Sequence, residues 1–220
     1  KAFTAKRGNT TAAQSKTAYV TPKAPHLSIS SSDGTVTITD ANSNEAARLY
    51  YTTDGKTPTA SSTEWTSSSS LAVQHGTTVK AIAIRQSKTS STSSATCNIT
   101  LATPTISLAL LSSANGTMAA TVGNMTSGAT YYYTVDNSPS DPTTSSSVYN
   151  SSSKPTVYHG QYIKVKGYKL GNSTTVVISA QASVKPVAPT LTATLADKVT
   201  MTHSNTDTSA ITIRYTEGAN

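Results

Sequence analysis

Apolar and polar residues alternate in many short segments of this chain, which is the pattern of half-buried β-strands. Leu49, Tyr51 and Thr53 share one face of such a segment, because every second side chain of a strand points the same way. The Asp54-Gly55 pair that follows favours a tight turn, and similar turn signals recur about every ten residues. The pattern predicts about seven short strands between residues 26 and 101, arranged as a two-sheet β-sandwich.

A stretch of ten residues recurs along the chain. It occupies residues 50–59 and returns, altered and two residues longer, at residues 132–143. Its second tyrosine appears as Tyr51, Tyr133 and Tyr215, at equal steps of 82 residues. A fixed period of this size indicates tandem domains, and each repeat is long enough to enclose one core.

Short proline-containing segments separate the repeats and set the predicted domain boundaries. Residues 1–23 form the C-terminal half of a preceding repeat, 24–102 and 103–187 two complete β-sandwich repeats, and 188–220 the N-terminal part of a further one. Because both end pieces are incomplete, we expect the native polypeptide to continue beyond them, or the ends to pair head to tail with other copies. Residues before proline favour extended geometry, so we expect neighbouring domains to lie end to end.

The alternation also assigns a core face to each complete repeat. In the first, the residues expected to be buried are Leu49, Tyr51, Val79, Ala81 and Ala83. In the second, they are Tyr131, Tyr133, Ile163, Val165 and Gly167.

Glycine and asparagine mark the expected tight turns. We expect Gly55 to have a positive φ and Asn137 to copy it, since both residue types tolerate the left-handed region. The pairs Gly8-Asn9 and Gly171-Asn172 are predicted as hairpin turns between the last two strands of a repeat.

Composition and charge exclude several classes of protein. The net charge is +7, but charged residues make up only 12% of the chain and lie at scattered strand positions such as Lys164 and Lys166. This favours a solvated face over a nucleic-acid surface, and we expect no nucleic-acid partner. No apolar run is long enough to insert into a membrane. Cys97 has no partner for a disulfide within the chain and alternates with apolar residues, which predicts a small buried side chain.

The sequence contains no recognisable reaction centre. Its acidic residues fall mostly in turns and lack the paired spacing of a glycosidase, and turn structure is favoured over a calcium site. His75 and His159 stand at equivalent places in the two repeats, each before a glycine, which favours a role in the fold. We therefore predict no catalytic residue, no metal site, no cofactor and no enzyme activity.

Tyrosines provide the only candidate binding surface. Tyr132 should be exposed, because it alternates with Tyr133 on the core face. Together with Tyr158, Tyr162 or Tyr168 it could form a platform on which sugar rings stack. Ordinary packing between neighbouring strands is the alternative interpretation of the same residues.

These motifs resemble the fibronectin-III-associated repeats, which are related to the C-terminal domain of chitobiase and β-hexosaminidase. The resemblance rests on residues 50–59 and on the Val-Lys-Ala-Ile-Ala segment at residues 79–83. It implies tandem immunoglobulin/fibronectin-III-like β-sandwich domains, which makes the expected fold class all-β. It also implies a setting in secreted or surface-anchored bacterial proteins, often carbohydrate-active enzymes, and no catalysis by the domains themselves.

Two functions follow as hypotheses. The first is a non-catalytic structural region of an extracellular bacterial surface protein or of a virion, acting as a rod, fibre or adhesin stalk. Its partners would be neighbouring repeats or other copies, head to tail. The alternative is an array of accessory carbohydrate-binding modules in a larger secreted enzyme, with surface glycans as the partner.

Overall fold

The computed structural model describes residues 5–6, 9–10, 20–43, 46–193, 199–206 and 212–216. All secondary-structure elements among these residues are β-strands. The chain divides into two compact units, Lys1–Ile99 and Thr100–Asn220. The first unit contains β1 (Ala5–Lys6), β2 (Asn9–Thr10), β3 (His26–Ile29), β4 (Val36–Thr39), β5 (Arg48–Thr52), β6 (Thr63–Trp65), β7 (Thr78–Arg85), β8 (Lys88–Thr89) and β9 (Ser93–Thr96). The predicted domain boundaries stay predictions.

The second unit repeats this order of strands. It contains β10 (Thr105–Ser112), β11 (Thr117–Gly123), β12 (Thr130–Asp136), β13 (Ser147–Val148), β14 (Thr156–Tyr158), β15 (Tyr162–Lys169), β16 (Asn172–Ser173), β17 (Val177–Ile178), β18 (Thr190–Ala193) and β19 (Val199–Thr202). β18 and β19 form a separate antiparallel hairpin.

Each unit contains two main antiparallel sheets. In the second, one sheet has the order β10-β11-β14 and the other β13-β12-β15-β16, with β17 also paired to β15. In the first, β6-β5-β7-β8 form the larger sheet, with β9 paired to β7, and β3-β4 form the smaller. A single bridge between Thr35 and Ala72 adds the counterpart of β14 to that smaller sheet.

The core of the second unit lies between its two sheets, which makes the unit a β-sandwich. Ala120 and Val122 from β11 meet Tyr131, Ile163 and Val165 from the other sheet in one buried cluster. The first unit buries equivalent positions, with Val36 and Ile38 in β4 and Val79 and Ala81 in β7. Alternation along each strand therefore supplies one apolar face, and facing sheets bury it.

The two units share their strand register as well as their strand order. Tyr51 lies opposite Ala81 in the first unit, and Tyr133 lies opposite Val165 in the second. The final hairpins agree too: Arg85 pairs with Lys88 across a two-residue turn, and Lys169 pairs with Asn172 in the same way. At the start of the chain β1 and β2 pair Lys6 with Asn9.

The predicted position of this hairpin turn is wrong by one residue. The central turn residues of the second unit are Leu170 and Gly171, both with positive φ, whereas Asn172 belongs to β16. Gln86 and Ser87 occupy the turn in the first unit, also with positive φ. Two consecutive left-handed residues match the right-handed twist of the flanking strands. Of the Gly8-Asn9 pair, Asn9 is likewise a strand residue, and Gly8 lies outside the described residues.

The last strand of each sandwich is interrupted, and a buried hydroxyl repairs the ladder. Ser90 Oγ accepts a hydrogen bond from Ala83 N at 2.9 Å, and Thr174 Oγ1 accepts one from Gly167 N at 2.9 Å. In both places the amide of the serine or threonine returns a bond to the carbonyl of the same partner. Both side chains are at least nine-tenths buried, where an unpaired amide would be costly.

Most of the predicted core positions are buried. Leu49, Val79, Ala81 and Ala83 in the first unit, and Tyr131, Ile163, Val165 and Gly167 in the second, confirm the assignment of faces. Tyr51 and Tyr133 are only half-buried, although Tyr133 does pack against the core cluster of the second unit.

Tyr50 also departs from the predicted faces. It lies on the opposite face from Leu49 and is only 6% exposed. Its cross-strand neighbour Ile82 is 1% exposed, so β5 and β7 are buried on both faces at this point. Alternation predicts a single buried face, and it fails where a second layer covers the other one.

One cross-strand pair of core residues differs between the two units, and the change in size at one position compensates for the change at the other. Leu49 faces Ala83 across the ladder in the first unit, while Tyr131 faces Gly167 at the same place in the second. A Cβ atom on Gly167 would lie 2.6 Å from Cε1 of the Tyr131 ring. The larger Tyr131 ring therefore fits only because residue 167 has no side-chain methyl group, since protein interiors are close-packed.

Gly167→Ala should lower the free energy of unfolding by about 1–3 kcal/mol, because the added methyl group overlaps the Tyr131 ring. In a Tyr131→Leu background the same change should cost much less, because leucine and alanine would then face each other as Leu49 and Ala83 do in the first unit. Urea unfolding of the wild type, both single variants and the double variant measures this coupling. Strictly additive effects would contradict the steric explanation.

The tight turn after β5 was predicted correctly, but its counterpart after β12 was not. Gly55 has φ of 77°, while Asn137 is not among the described residues with positive φ. The two-residue insertion explains the difference. Thr52 Oγ1 donates to the carbonyl four residues on, at Lys56, whereas Thr134 Oγ1 donates to the carbonyl six residues on, at Ser140. A longer loop closes without a left-handed residue at this position.

Gly55→Val should therefore destabilise the protein by about 1–3 kcal/mol, since a β-branched residue is strained at positive φ. No atom lies within 4 Å of the added Cβ, so backbone strain is the only source of the loss. Asn137→Val is the matched control and should change stability by less than about 0.5 kcal/mol. Thermal unfolding compares the two, and equal losses would argue against the difference in turn geometry.

Candidate functional site

The structure brings two of the four predicted sugar-stacking tyrosines together. The rings of Tyr132 and Tyr168 lie 5.6 Å apart between centroids at an interplanar angle of 82°. Tyr162 lies on the same strand as Tyr168 but six residues away, and Tyr158 lies on β14 in the other sheet. A platform that combines all four is not formed, and their role in binding stays a prediction.

Tyr132 is half-buried, which corrects the expectation that it is exposed. Tyr168 packs edge-on against its ring, and the Tyr168 hydroxyl donates to the carbonyl of Pro142 at 3.0 Å. The ammonium of Lys166 lies 5.2 Å from the centroid of the Tyr168 ring. The corner that follows β12 thus folds over the outer face of the sheet and covers part of it.

His75 and His159 perform the same structural task in their respective units. His75 Nδ1 accepts a hydrogen bond from Ile99 N at 3.1 Å, and His159 Nδ1 accepts one from Val184 N at 3.0 Å. Each imidazole holds the chain beyond the last strand against the turn in which the histidine lies. Because an accepting Nδ1 carries no proton, these bonds require the neutral Nε2–H tautomer.

Cys97 is fully buried, as the alternation predicted. Its Sγ lies 3.6 Å from the carbonyl oxygen of Val73, to which the thiol donates. Burial raises the pKa of the Cys97 thiol, so the thiolate needed for nucleophilic chemistry is disfavoured.

Groups that could bind a metal were sought among the described residues. No cluster of three or more His, Cys, Asp or Glu side chains occurs in that part of the chain. The described residues also include no helix with the length and apolarity needed to cross a membrane.

Specific side-chain hydrogen bonds form the junctions between linkers and hairpins. Asn205, three residues after β19, is only 6% exposed. Its Oδ1 accepts a hydrogen bond from Val187 N at 2.8 Å, and its Nδ2 donates to Val187 O at 2.9 Å. One amide side chain thus satisfies both backbone groups of a linker residue, which fixes the linker against the hairpin that follows it.

The same arrangement precedes the first sandwich. Asn42 Oδ1 accepts from Lys23 N at 2.8 Å, and Asn42 Nδ2 donates to Lys23 O at 3.4 Å. Asp40 orients this amide, because its Oδ1 accepts from Asn42 N at 3.0 Å and from Asn42 Nδ2 at 2.5 Å. Its second carboxylate oxygen accepts from Ala47 N at 2.8 Å, so the loop after β4 is closed around the carboxylate.

The second sandwich divides the task between two side chains. Asn124 Nδ2 donates to Thr103 O at 2.8 Å, and Thr126 Oγ1 accepts from Ala102 N at 2.8 Å. Pro104, which comes directly after these linker residues, is fully buried. We refer to Asn42, Asn124 and Asn205, each bonded to its linker, as the asparagine clamps.

The hairpin of β18 and β19 is also tied to the sandwich that precedes it. Thr206 N donates to Ala114 O at 2.8 Å, at the turn between β10 and β11. Thr206 Oγ1 also bonds to Ala114 O, at 3.3 Å, and to Asn115 Oδ1. The segment after β19 is therefore hydrogen-bonded both to the linker, through Asn205, and to the second sandwich, through Thr206.

The sequence analysis did not find the clamps. A signal was present, because Asn42, Asn124 and Asn205 recur at steps of 82 and 81 residues, close to the tyrosine period. Asparagine is common in turns for local reasons, so its recurrence outside a strand did not indicate a contact with a distant linker.

A second recurrent feature is a shallow groove beside the end of β5 and of β12. Its volume is about 440 Å³ in the first unit, where it is lined by Tyr51, Thr52, Thr53, Asp54, Ser61, Ser62, Thr63 and Leu71. The equivalent groove in the second unit measures about 500 Å³ and is lined by Tyr133, Thr134, Val135, Asp136, Pro139, Ser140, Ser145, Ser146 and Ser147. Each groove combines one tyrosine ring with hydroxyls and a carboxylate.

Several of these hydroxyls already have structural partners. Ser62 Oγ accepts from Thr59 N at 3.0 Å, and Ser146 Oγ accepts from Thr143 N at 3.0 Å. These bonds close the loops that form one wall of each groove. The hydroxyl protons remain able to donate outwards, since accepting a bond does not use them.

Comparison with protein families identifies part of the first unit. Residues 36–97 match the sequence model of the family described as Fn3 associated, which confirms the resemblance over those residues. Domains of this family are generally accessory and non-catalytic. No curated protein matches the chain.

The clamp of the first sandwich should respond to acid through Asp40. Burial alone would raise the pKa of this carboxyl, but hydrogen bonds from Ala47 and Asn42 and the charge of Arg85 outweigh it, so the pKa lies below its ordinary value of 3.8. A carboxyl whose pKa is lower in the folded state contributes stability above its unfolded pKa and loses it as the pH falls through the folded pKa.

We therefore expect Asp40→Asn to lower the free energy of unfolding by about 1 kcal/mol at neutral pH. The difference from the wild type should begin to shrink as the pH falls below about 4, where the unfolded chain takes up a proton on this carboxyl, and should be lost below the lower pKa of the folded state. Urea unfolding between pH 7 and pH 3 measures it. A difference that stays constant over this range would show that the carboxylate charge has no part in the clamp.

Proposed function

We propose that this chain is a non-catalytic structural region of an extracellular bacterial surface protein or a virion, in which tandem β-sandwich domains lie end to end as a rod, fibre or stalk. The asparagine clamps carry the proposal. A flexible linker would leave its backbone groups to water, whereas Asn42, Asn124 and Asn205 each engage a linker residue. Ordering a residue costs about 1–2 kcal/mol of conformational entropy, and paired backbone groups offset that cost.

The hydrogen bonds of Thr206 support the same function. They join the loop after β19 to the turn between β10 and β11. Asn205 and Thr206 are adjacent, so one segment of the chain is bonded both to the linker and to the sandwich before it. Two such attachments restrict the hairpin relative to that sandwich more than the linker alone would, which a stalk under load requires.

Chemistry in the described residues is consistent with a mechanical role. The histidines accept backbone hydrogen bonds, the thiol is buried, and the buried hydroxyls of Ser90 and Thr174 repair a strand. These five side chains are therefore engaged in the fold.

Small-angle X-ray scattering tests the proposal. A compact protein of 220 residues has a radius of gyration of about 17 Å, and an end-to-end arrangement should give a clearly larger value. Removing a clamp with Asn124→Ala and Thr126→Ala should broaden the distribution of interatomic distances and speed hydrogen exchange at Ala102. A wild-type radius near the compact value would refute the rod.

Asn150→Ala is the matched control. This side chain also accepts a backbone hydrogen bond, from Ser152 N at 2.8 Å, but within an exposed loop away from any linker. The variant should scatter like the wild type. Equal broadening in the clamp variant and the control would mean that the clamps do not order the linker.

A second candidate function is binding of surface glycans as an accessory module, and the recurrent groove favours it. Tyr51 and Tyr133 each place a half-buried ring beside hydroxyls and a carboxylate, a combination suited to a neutral sugar. A glycan array probed with the wild type and with the Tyr51→Ala/Tyr133→Ala variant tests it. Specific binding lost in the variant would support this function, and no binding by the wild type would exclude it for the glycans tested.

A further inference from the structure

β10 is an edge strand with neither charge nor proline to protect it against pairing. It pairs with β11 on one side, and it ends the sheet order β10-β11-β14. β17 approaches it without forming a ladder. Its eight residues, TISLALLS, include no charge and no proline. Alternate residues of an antiparallel edge strand direct their N–H and C=O groups outwards, where another strand can bond to them.

Two large apolar side chains at the end of this strand face solvent. Leu110 is 61% exposed and Leu111 is 59% exposed, at the position where a bulge shifts the register before Ser112. Earlier in the strand, Ile106 and Leu108 pack against the core. The apolar face of β10 therefore continues past the core that covers it.

The equivalent strand of the first unit is built differently. β3 has only four residues and leads directly into the turn at residues 30–34. Beside it, Ser93 Oγ donates to Pro25 O at 2.5 Å, which ties the start of this edge to the neighbouring sheet. A short and tied edge is a common defence against unwanted pairing. β10 lacks this defence although the two units otherwise share their register.

We propose that β10 pairs with β10 of a second copy of this chain, so that two three-stranded sheets join into one of six strands. An extended strand is the partner, because the edge offers main-chain donors and acceptors. A second copy fits because β10 is uncharged, so antiparallel self-pairing sets no like charges opposite each other. This association is lateral and does not depend on the end-to-end arrangement.

One register makes the two copies equivalent and keeps their apolar faces together. With Leu108 opposite Leu108 of the partner subunit, Leu110 lies opposite Ile106 of the partner subunit. The apolar faces of the two β10 strands then lie on the same side of the joined sheet. This arrangement covers Leu110 and is isologous, as a twofold dimer requires. Ser107 then lies opposite Ala109 of the partner subunit.

Analytical ultracentrifugation of the wild type over a range of concentrations tests the association. We expect a reversible dimer with twice the 22.7 kDa mass of the chain. Leu110→Lys and, separately, Ala109→Lys should weaken dimerisation at least roughly tenfold, because each sets a charge on the edge. Both residues are exposed, so both variants should keep the wild-type melting temperature.

Val148→Lys is the matched control. Val148 is 56% exposed on β13, the edge strand of the other sheet, and this variant should dimerise like the wild type. A wild type that stays monomeric at high concentration would overturn the proposal. So would a dimer that survives in Leu110→Lys and Ala109→Lys, or one that Val148→Lys abolishes.

Disulfide trapping tests the register independently. Opposite residues of an antiparallel pair have Cα atoms about 4.5–5.5 Å apart, which a disulfide can span. A mixture of the single variants Ser107→Cys and Ala109→Cys should form a covalent dimer on mild oxidation, while either variant alone should form little. Cys97 is buried and should not interfere. Equal trapping in all three samples would overturn the register.

Discussion

Backbone groups that leave a ladder must find a new partner, and this requirement accounts for most of the polar design of the protein. Where the last strand breaks, a buried hydroxyl accepts the amide of Ala83 in one sandwich and that of Gly167 in the other. Beyond the last strand, an imidazole accepts the amide of Ile99 in the first sandwich and that of Val184 in the second. Where the linker passes the following hairpin, an asparagine meets both of its backbone groups. Side chains of serine, threonine, histidine and asparagine therefore supply hydrogen bonds to backbone groups that a longer strand ladder would otherwise satisfy.

The hydrophobic pattern was sufficient to predict strands, turns and one core face, because these depend on local periodicity. It predicted Val79, Ala81 and Ile163 as core residues, and all three are fully buried. It failed at Tyr50, since burial of the outer face depends on what covers the sheet. It also failed at Asn137, because a two-residue insertion changed the closure of the loop. The burial of Tyr50 depends on residues distant in sequence, and the conformation of Asn137 depends on the length of the whole loop. Neither can be deduced from the local alternation of apolar and polar residues.

Candidate sites were harder to predict than the fold. The tyrosines could be found by composition, but whether two rings stack on a ligand or on each other depends on their rotamers, and Tyr132 and Tyr168 pack on each other. The asparagines of the clamps could be found only by their period, because a side chain that bonds to a linker some twenty residues away looks like any turn asparagine. Comparison of the two sandwiches is more informative, since the exchange of Leu49 and Ala83 for Tyr131 and Gly167 shows that volume is conserved across the pair.

The clamps of the second sandwich and of the final hairpin are made of neutral groups. Asn124 and Asn205 bond to main-chain atoms with no formal charge on either side. Mobile ions screen interactions between exposed charges, but they have little effect on a bond between an amide and a peptide group. The bonds that hold these linkers are thus insensitive to ionic strength, so Thr103 and Val187 should stay paired in dilute fresh water and in concentrated brine.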